Sequence, residues 1–287
     1  MKPNPRTAIA SAALAALLLC QAATTCRAED GPAPNDLLLG VLWTQRSVEF
    51  KATALGAFTL AKIRLDQALV DKSWTAAPKE QTGAFGDLPP AVVLDVDETL
   101  LDNSLYQVWM LKNGKTFSGE TWSKFVGSQT STAIPGAVEF AKYAESKGVK
   151  VFYITNRDAK DEEATRANME KLGFPMGGNV DTFLMQRERP DWGGPKGTRR
   201  AFVAKDYRIL LSIGDNFGDF DDRYRSSEAE RQQAFEENAA RWGREWIMIA
   251  NPSYGSFDTA PYGHDFKKSQ AEQRKAKWDS LQSWPGP

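Results

Sequence analysis

Ala91-Val92-Val93-Leu94-Asp95-Val96-Asp97-Glu98-Thr99 is the stretch that decides the fold. Its first four residues form an unbroken apolar run after the Pro89-Pro90 pair, too short for a helix and without an alternating polar face. A run of that kind, bounded by turn residues, predicts a strand buried on both faces of a parallel sheet. Working outward, three further runs share its character: 149–155 (VKVFYIT), 207–214 (YRILLSIG) and 245–250 (EWIMIA). Helical segments separate them. Pro135 opens one that continues to Gly148 and buries Val138, Phe140, Ala141 and Ala144; another covers about 159–171 and stops at Gly173; a third is expected over 226–242. Strands alternating with helices predict an α/β fold: a Rossmann-like parallel sheet flanked by helices.

Two segments stand outside this alternation. Residues 36–71 carry Leu39, Leu42, Trp43, Leu55, Phe58, Ala61, Leu65 and Leu69 at helical spacings, so an N-terminal helical segment precedes the sheet. Residues 105–133 have no clear period but contain Trp109, Phe117, Trp122 and Phe125, and a small cap inserted at about 102–134 is expected there.

The first residues have the organisation of an export signal. Lys2 and Arg6 precede an apolar run at 9–19 that is too short to span a bilayer, and Cys26 and Ala28 occupy the positions a signal peptidase inspects. The expectation is a cleaved signal at 1–28, with 29–287 as a single domain in the periplasm or at the outer membrane. Both cysteines, Cys20 and Cys26, fall inside the leader, so a disulfide, a thiolate nucleophile and a Cys-ligated zinc are all excluded from the mature chain. A lipoprotein leader ends on a small residue just before its cysteine. Leu19 and Thr25 stand there instead, so membrane contact is expected only if a cysteine is lipidated after all.

Charge and histidine content narrow the chemistry. Lys plus Arg number 36 against 37 for Asp plus Glu, without a basic block, which argues against a nucleic-acid polymer as partner. The single histidine, His264, removes His-rich metal sites and phosphatases that work through a phosphohistidine plus a second histidine, and points the chemistry to carboxylates.

Carboxylates are where the strands end. Ligands of parallel α/β sheets sit beyond the carboxyl ends of the strands. Asp95 and Asp97 leave the first strand there; Thr155-Asn156-Arg157 ends the second, and Gly214-Asp215-Asn216-Phe217-Gly218-Asp219 the third. Lys196 follows a Gly193-Gly194-Pro195 turn, whereas Arg199 and Arg200 read as surface charges. Crowded carboxylates repel, which favours either a bound cation or a raised pKa, and both suit phosphoryl transfer.

These motifs resemble those of the haloacid dehalogenase superfamily. More narrowly, LWTQRSVEFKA, VVLDVDETLLDNSLYQ, IPGAVEFAKYAESKGVKVFYITNR, KGTRRAFV, GDNFGDFDD and NPSYGSF resemble the class C, or DDDD, bacterial acid phosphatases and 5′-nucleotidases, many of them outer-membrane lipoproteins. The resemblance implies Asp95 as nucleophile, Asp97 as general acid and base, and Mg²⁺ held by the Asp95 and Asp215 carboxylates and the Asp97 carbonyl. Thr155 and Lys196 would then hold the phosphate, with Asp219 orienting Lys196 or a metal-bound water. The substrate expected is a small phosphomonoester, a nucleoside monophosphate above all, with Phe117 and Tyr254 as candidates to stack on its base. A non-catalytic surface binding lipoprotein that kept the fold is the rival expectation. It leaves the retained, mutually repelling acids without a purpose.

Overall fold

The structure is a computed structural model and describes residues 35–286. The expected signal segment, with Cys20 and Cys26, lies outside those residues. In chain order the main elements are helices α1 (Leu37–Arg46) and α2 (Val48–Val70), strand β1 (Pro90–Leu94), strand β2 (Leu101–Asp102), helices α3 (Ser104–Asn113) and α4 (Gly119–Gly127), and strand β3 (Thr132–Ala133). They continue as α5 (Ala137–Ser146), β4 (Lys150–Asp158), α6 (Glu162–Leu172), β5 (Phe183–Gln186), α7 (Gly197–Ala204), β6 (Arg208–Gly214), α8 (Glu228–Glu237), β7 (Trp246–Met248), α9 (Ser256–Thr259) and α10 (Gln270–Ser280).

Five strands form a parallel sheet in the order β5-β4-β1-β6-β7. The chain leaves β1 toward β4 and β5, then crosses back to β6 and β7. The strand order therefore reverses beside β1, and the crevice beyond β1 and β6 is the position where such sheets bind ligands. Alternate β1 side chains serve two cores: Val92 and Leu94 pack with Phe58, Leu65, Phe140 and Met169, whereas Ala91 and Val93 pack with Phe152, Leu184, Val203 and Trp246. The period-two alternation of a strand buries both faces, which is why β1 reads as continuously apolar. Among the described residues, no helix is long and apolar enough to cross a membrane.

One expectation needs correction, the helix over 226–242, and two details go beyond the sequence reading. The helical stretch 36–71 is two helices: Ser47 adopts an extended conformation and its hydroxyl accepts from Phe50 N–H at 3.0 Å, capping α2. The helix expected over 226–242 begins behind a Ser227–Glu230 capping box and ends at Glu237, followed by a separate 3₁₀ turn at Ala239–Arg241. Strand β5 was not expected, because four residues are too few to establish a period; pairing with β4 defines it.

The segment after β1 is itself organised. Strands β2 and β3 pair antiparallel and close its base, and α3 and α4 lie between them. Tyr106 is buried at its centre, with ring centroids of Trp109, Phe117, Trp122 and Phe125 between 5.2 and 6.3 Å away. These aromatics supply the segment with its own packing, without a helical period in the sequence.

Helices α2 and α5 meet through Phe58 and Phe140, both buried, with ring centroids 5.8 Å apart. Replacing Phe140 with alanine removes a filled volume that rigid neighbours cannot reclaim. The expected loss is about 3–5 kcal/mol of unfolding free energy, read as a lower urea midpoint at unchanged slope.

Candidate active site

Asp95 is the first residue past β1, and the sheet still holds it: its N–H donates to Ile213 O of β6 at 2.9 Å. Its buried carboxylate is shared between two donors. Thr99 Oγ1 donates to Oδ2 at 2.9 Å, and Lys196 Nζ is ion-paired with Oδ1. Lys196, itself buried, also reaches Asp219 Oδ1 at 2.7 Å, while Asp219 Oδ2 accepts from Asn216 N–H at 2.9 Å. Asp215 stands alongside, accepting from Asn251 Nδ2 at 2.7 Å and lying 3.3 Å from the Thr99 hydroxyl.

Carboxylate oxygens of Asp95, Asp215 and Asp219 all lie within 4.8 Å of one another. Among the described residues, Lys196 is the one ammonium paired with Asp95 and Asp219, and none is paired with Asp215, which leaves the cluster short of positive charge. Burial pushes the Asp95 carboxyl up, opposed by Lys196 and reinforced by Asp219. Asp215 is pushed well above the ordinary carboxylate range by burial and by the Asp95 and Asp219 charges. Burial works against the charge of Lys196, but the Asp219 and Asp95 carboxylates outweigh it and hold its pKa above the usual value. An all-oxygen donor set with excess negative charge fits a hard divalent cation, which needs few protein ligands.

Asp97 faces a different set of partners. Its Oδ1 accepts from Asn103 Nδ2 at 2.9 Å and Arg157 Nε at 2.9 Å, with Arg157 Nη2 at 2.8 Å. Among the described residues, its Oδ2 accepts from one group, Thr155 Oγ1, at 3.5 Å. Thr155 is buried at the end of β4, and its hydroxyl accepts from Arg157 N–H at 3.0 Å. Asp95, Asp97, Thr155, Lys196, Asp215 and Asp219 thus come together at one edge of the sheet.

Arg199 and Arg200 are buried and not surface charges. Arg199 donates to the Thr155 carbonyl, to Asn156 Oδ1 at 2.6 Å and to Gly193 O at 2.9 Å, tying the end of β4 to the turn that carries Lys196. Arg200 pairs with Glu80 at 3.0 Å and Asp222 at 3.3 Å and donates to Asp219 O at 3.2 Å. Most of their acceptors lie outside this stretch, on β4, at Glu80 and at 219–222, so nothing in Lys196-Gly197-Thr198-Arg199-Arg200 itself separates them from solvated arginines. Arg157 and Asn103 were also missed as site residues. Arg157 adjoins the Thr155-Asn156 pair, and that adjacency was the available signal.

The aromatic candidates lie at the margin. Tyr254 keeps 41% of its surface exposed while its hydroxyl donates to Glu98 Oε2. Glu98 is buried with a left-handed φ of 57°, and burial followed by the Asp97 charge pushes its carboxyl up to about 8. Phe117 is 64% exposed and packs against Trp122, centroids 6.1 Å apart; the Trp122 ring in turn lies 5.6 Å from the Arg157 guanidinium. His264 is half-buried far from these groups in its bonding, with Nδ1 2.6 Å from Thr259 Oγ1 and Nε2 3.3 Å from Ser226 O.

Residues 35–257 match the family model for the haloacid dehalogenase superfamily, subfamily IIIB (acid phosphatase). The chain belongs to this acid phosphatase family. Its fold superposes on the class C acid phosphatase from Bacillus anthracis with a TM-score of 0.75 at 35% identity, covering 86% of this chain and 97% of that one. The same Bacillus anthracis protein with tungstate bound gives a TM-score of 0.76 at 35% identity, with the same coverage. Acid phosphatase 1 of Solanum lycopersicum is 28% identical over 132 residues, which span 44% of this chain and 50% of that protein. The family is one of phosphoric monoester hydrolases, and the parallel sheet with its flanking helices is the fold of its class C members.

The Glu98 shift carries a stability prediction for this acid phosphatase in the absence of metal. Its folded pKa of about 8 lies above the ordinary 4.5, so the folded state retains a proton that the unfolded chain releases. The contribution is complete below pH 4.5 and is lost as pH rises through 8. In EDTA, Tm is expected to fall across that window, and Glu98→Gln, which stays neutral throughout, to fall less steeply. Parallel Tm profiles for the two proteins would contradict the assignment.

Proposed function

We propose that the protein is an exported, Mg²⁺-dependent phosphomonoesterase that acts on nucleoside monophosphates through an aspartyl-phosphate on Asp95. The observation that carries the reading is the buried Asp95–Lys196–Asp219 array with Asp215 beside it, beyond the carboxyl ends of β1 and β6.

An Asp95 oxygen attacks phosphorus and forms the acyl phosphate, while the ester P–O bond breaks. Asp97 gives its proton to the departing alkoxide oxygen. It then takes a proton from the water that attacks the acyl phosphate, whose P–Oδ bond breaks to regenerate Asp95. Lys196 and Thr155 hold the phosphoryl oxygens, and Asp219 fixes the Lys196 ammonium at 2.7 Å. Positioning and charge compensation are the main demands of phosphoryl transfer, and these side chains address both. Asp95 and Asp215, joined by the Asp97 carbonyl, would hold a divalent ion that offsets the charge of the substrate.

Tungstate is a tetrahedral oxyanion like phosphate, and its presence in the Bacillus anthracis class C enzyme supports phosphate as the group taken here. The exposed rings of Phe117 and Tyr254 support a flat leaving group stacked above the carboxylates. The basic and apolar pattern of residues 1–28 supports export.

The test is hydrolysis of p-nitrophenyl phosphate and of several nucleoside monophosphates by residues 29–287, with Mg²⁺ or with EDTA. Activity is expected only with metal, to fall to background in Asp95→Asn, and to drop on the order of a hundredfold in Lys196→Met. Absence of metal-dependent hydrolysis of every ester, from acidic to neutral pH, would overturn the reading.

A further inference from the structure

The two oxygens of Asp97 are not equivalent. Three N–H-bearing nitrogens crowd Oδ1: Asn103 Nδ2 and Arg157 Nε at 2.9 Å, and Arg157 Nη2 at 2.8 Å. Its two lone pairs accept from Asn103 Nδ2 and Arg157 Nε, and a second guanidinium nitrogen stands against it, so no lone pair is left for a proton. Among the described residues, Oδ2 accepts only from the Thr155 hydroxyl, at the outer limit of hydrogen bonding, and the side chain is 18% exposed.

We infer that Arg157 and Asn103 are positioning residues that make Asp97 Oδ2 the oxygen through which the leaving group is protonated. This rests on the phosphatase reading and adds an atom and two residues to it. Without the two donor groups the carboxyl could turn about its χ2 torsion, and the proton would point at the ester oxygen only part of the time.

The donors are themselves held. Arg157 Nη1 donates to Thr165 Oγ1 at 3.1 Å and its Nη2 to Asn103 Oδ1 at 3.3 Å, while Asn103 Oδ1 also accepts from Ser131 Oγ at 2.6 Å. Arg157 and Asn103 are both buried, so their donor groups are held by the protein and not by solvent. The lattice draws on β4, α6 and the stretches flanking the inserted segment, and the Trp122 ring of α4 lies 5.6 Å from the Arg157 guanidinium. The general acid is therefore anchored to the segment that carries the candidate stacking residue Phe117.

Leaving groups distinguish this role from a structural one. p-Nitrophenolate departs as a stable anion and needs little protonation, whereas an alkoxide needs it fully. The quantity to compare is kcat/KM, which covers steps only through departure of the leaving group, so the later role of Asp97 as base drops out. The experiment measures kcat/KM for p-nitrophenyl phosphate and glycerol 1-phosphate in the wild type, Asn103→Ala, Arg157→Lys and Asp97→Asn, each with Mg²⁺. Wild-type turnover of p-nitrophenyl phosphate is read first, since its absence strikes the phosphatase reading itself.

Asn103→Ala is expected to lose about tenfold more on glycerol 1-phosphate than on p-nitrophenyl phosphate. Arg157→Lys, which keeps the charge and a single reach to Oδ1, is expected to show the same bias at smaller size. The double variant Asp97→Asn/Asn103→Ala should be no worse than Asp97→Asn alone, because the positioned group is already gone. Equal losses on the two esters, or additive losses in the double variant, would overturn the inference. Should Arg157→Lys fail to fold, the Asn103→Ala comparison and the double variant decide it alone.

Discussion

Negative charge concentrated where β1 and β6 end is the constraint on which the rest depends. Asp95 and Asp219, both buried, and the half-buried Asp215 are brought within a few ångströms of one another, a configuration that would spread apart if nothing restrained it. The restraints are built from backbone and buried polar groups. Ile213 O holds Asp95 N–H, Asn216 N–H holds Asp219, Asn251 holds Asp215, and Lys196 bridges two of the carboxylates. Helices on both faces pack against the sheet beneath them and keep these groups in place.

Lys196 illustrates how far the supports extend. It arrives on a Gly-Gly-Pro turn with no regular structure of its own. Arg199 fixes that turn to the end of β4, and Arg200 reaches the backbone of Asp219 and the side chains of Glu80 and Asp222. Two buried guanidinium groups thereby set the position of one ammonium. On the other side, Arg157 and Asn103 do the same for Asp97. The site divides into a half built on Asp95, Asp215 and Asp219 and a half built on Asp97, each steadied by buried cationic side chains.

Most of the architecture was legible because it follows from periods. The β1 run is apolar at every position, which only burial on both faces explains, and Thr155 and Asp215 could be found by asking what stands at each strand end. Strand β5 escaped because Phe183–Gln186 has too few residues to show a period and is fixed by pairing with β4. The inserted segment showed its aromatics but not its two helices, since packing around Tyr106 rather than an amphipathic stripe holds it. Buried arginines were illegible for a related reason. A guanidinium is buried or solvated according to acceptors that lie elsewhere in the chain, and Arg199 finds its acceptors at Thr155, Asn156 and Gly193. Candidate carboxylates were readable because they sit next to strands; the groups that aim them were not.

The claim that everything else serves is that Asp95 carries phosphate during turnover. The direct measurement is to quench a reacting mixture in acid, reduce with borohydride, and analyse the peptides by mass spectrometry. An acyl phosphate on an aspartate is reduced to homoserine, so the account predicts homoserine at position 95 in a substrate- and metal-dependent fraction of the protein. Intact Asp95 in a mixture quenched during rapid turnover, or a phosphate-bearing group at another residue, would contradict it.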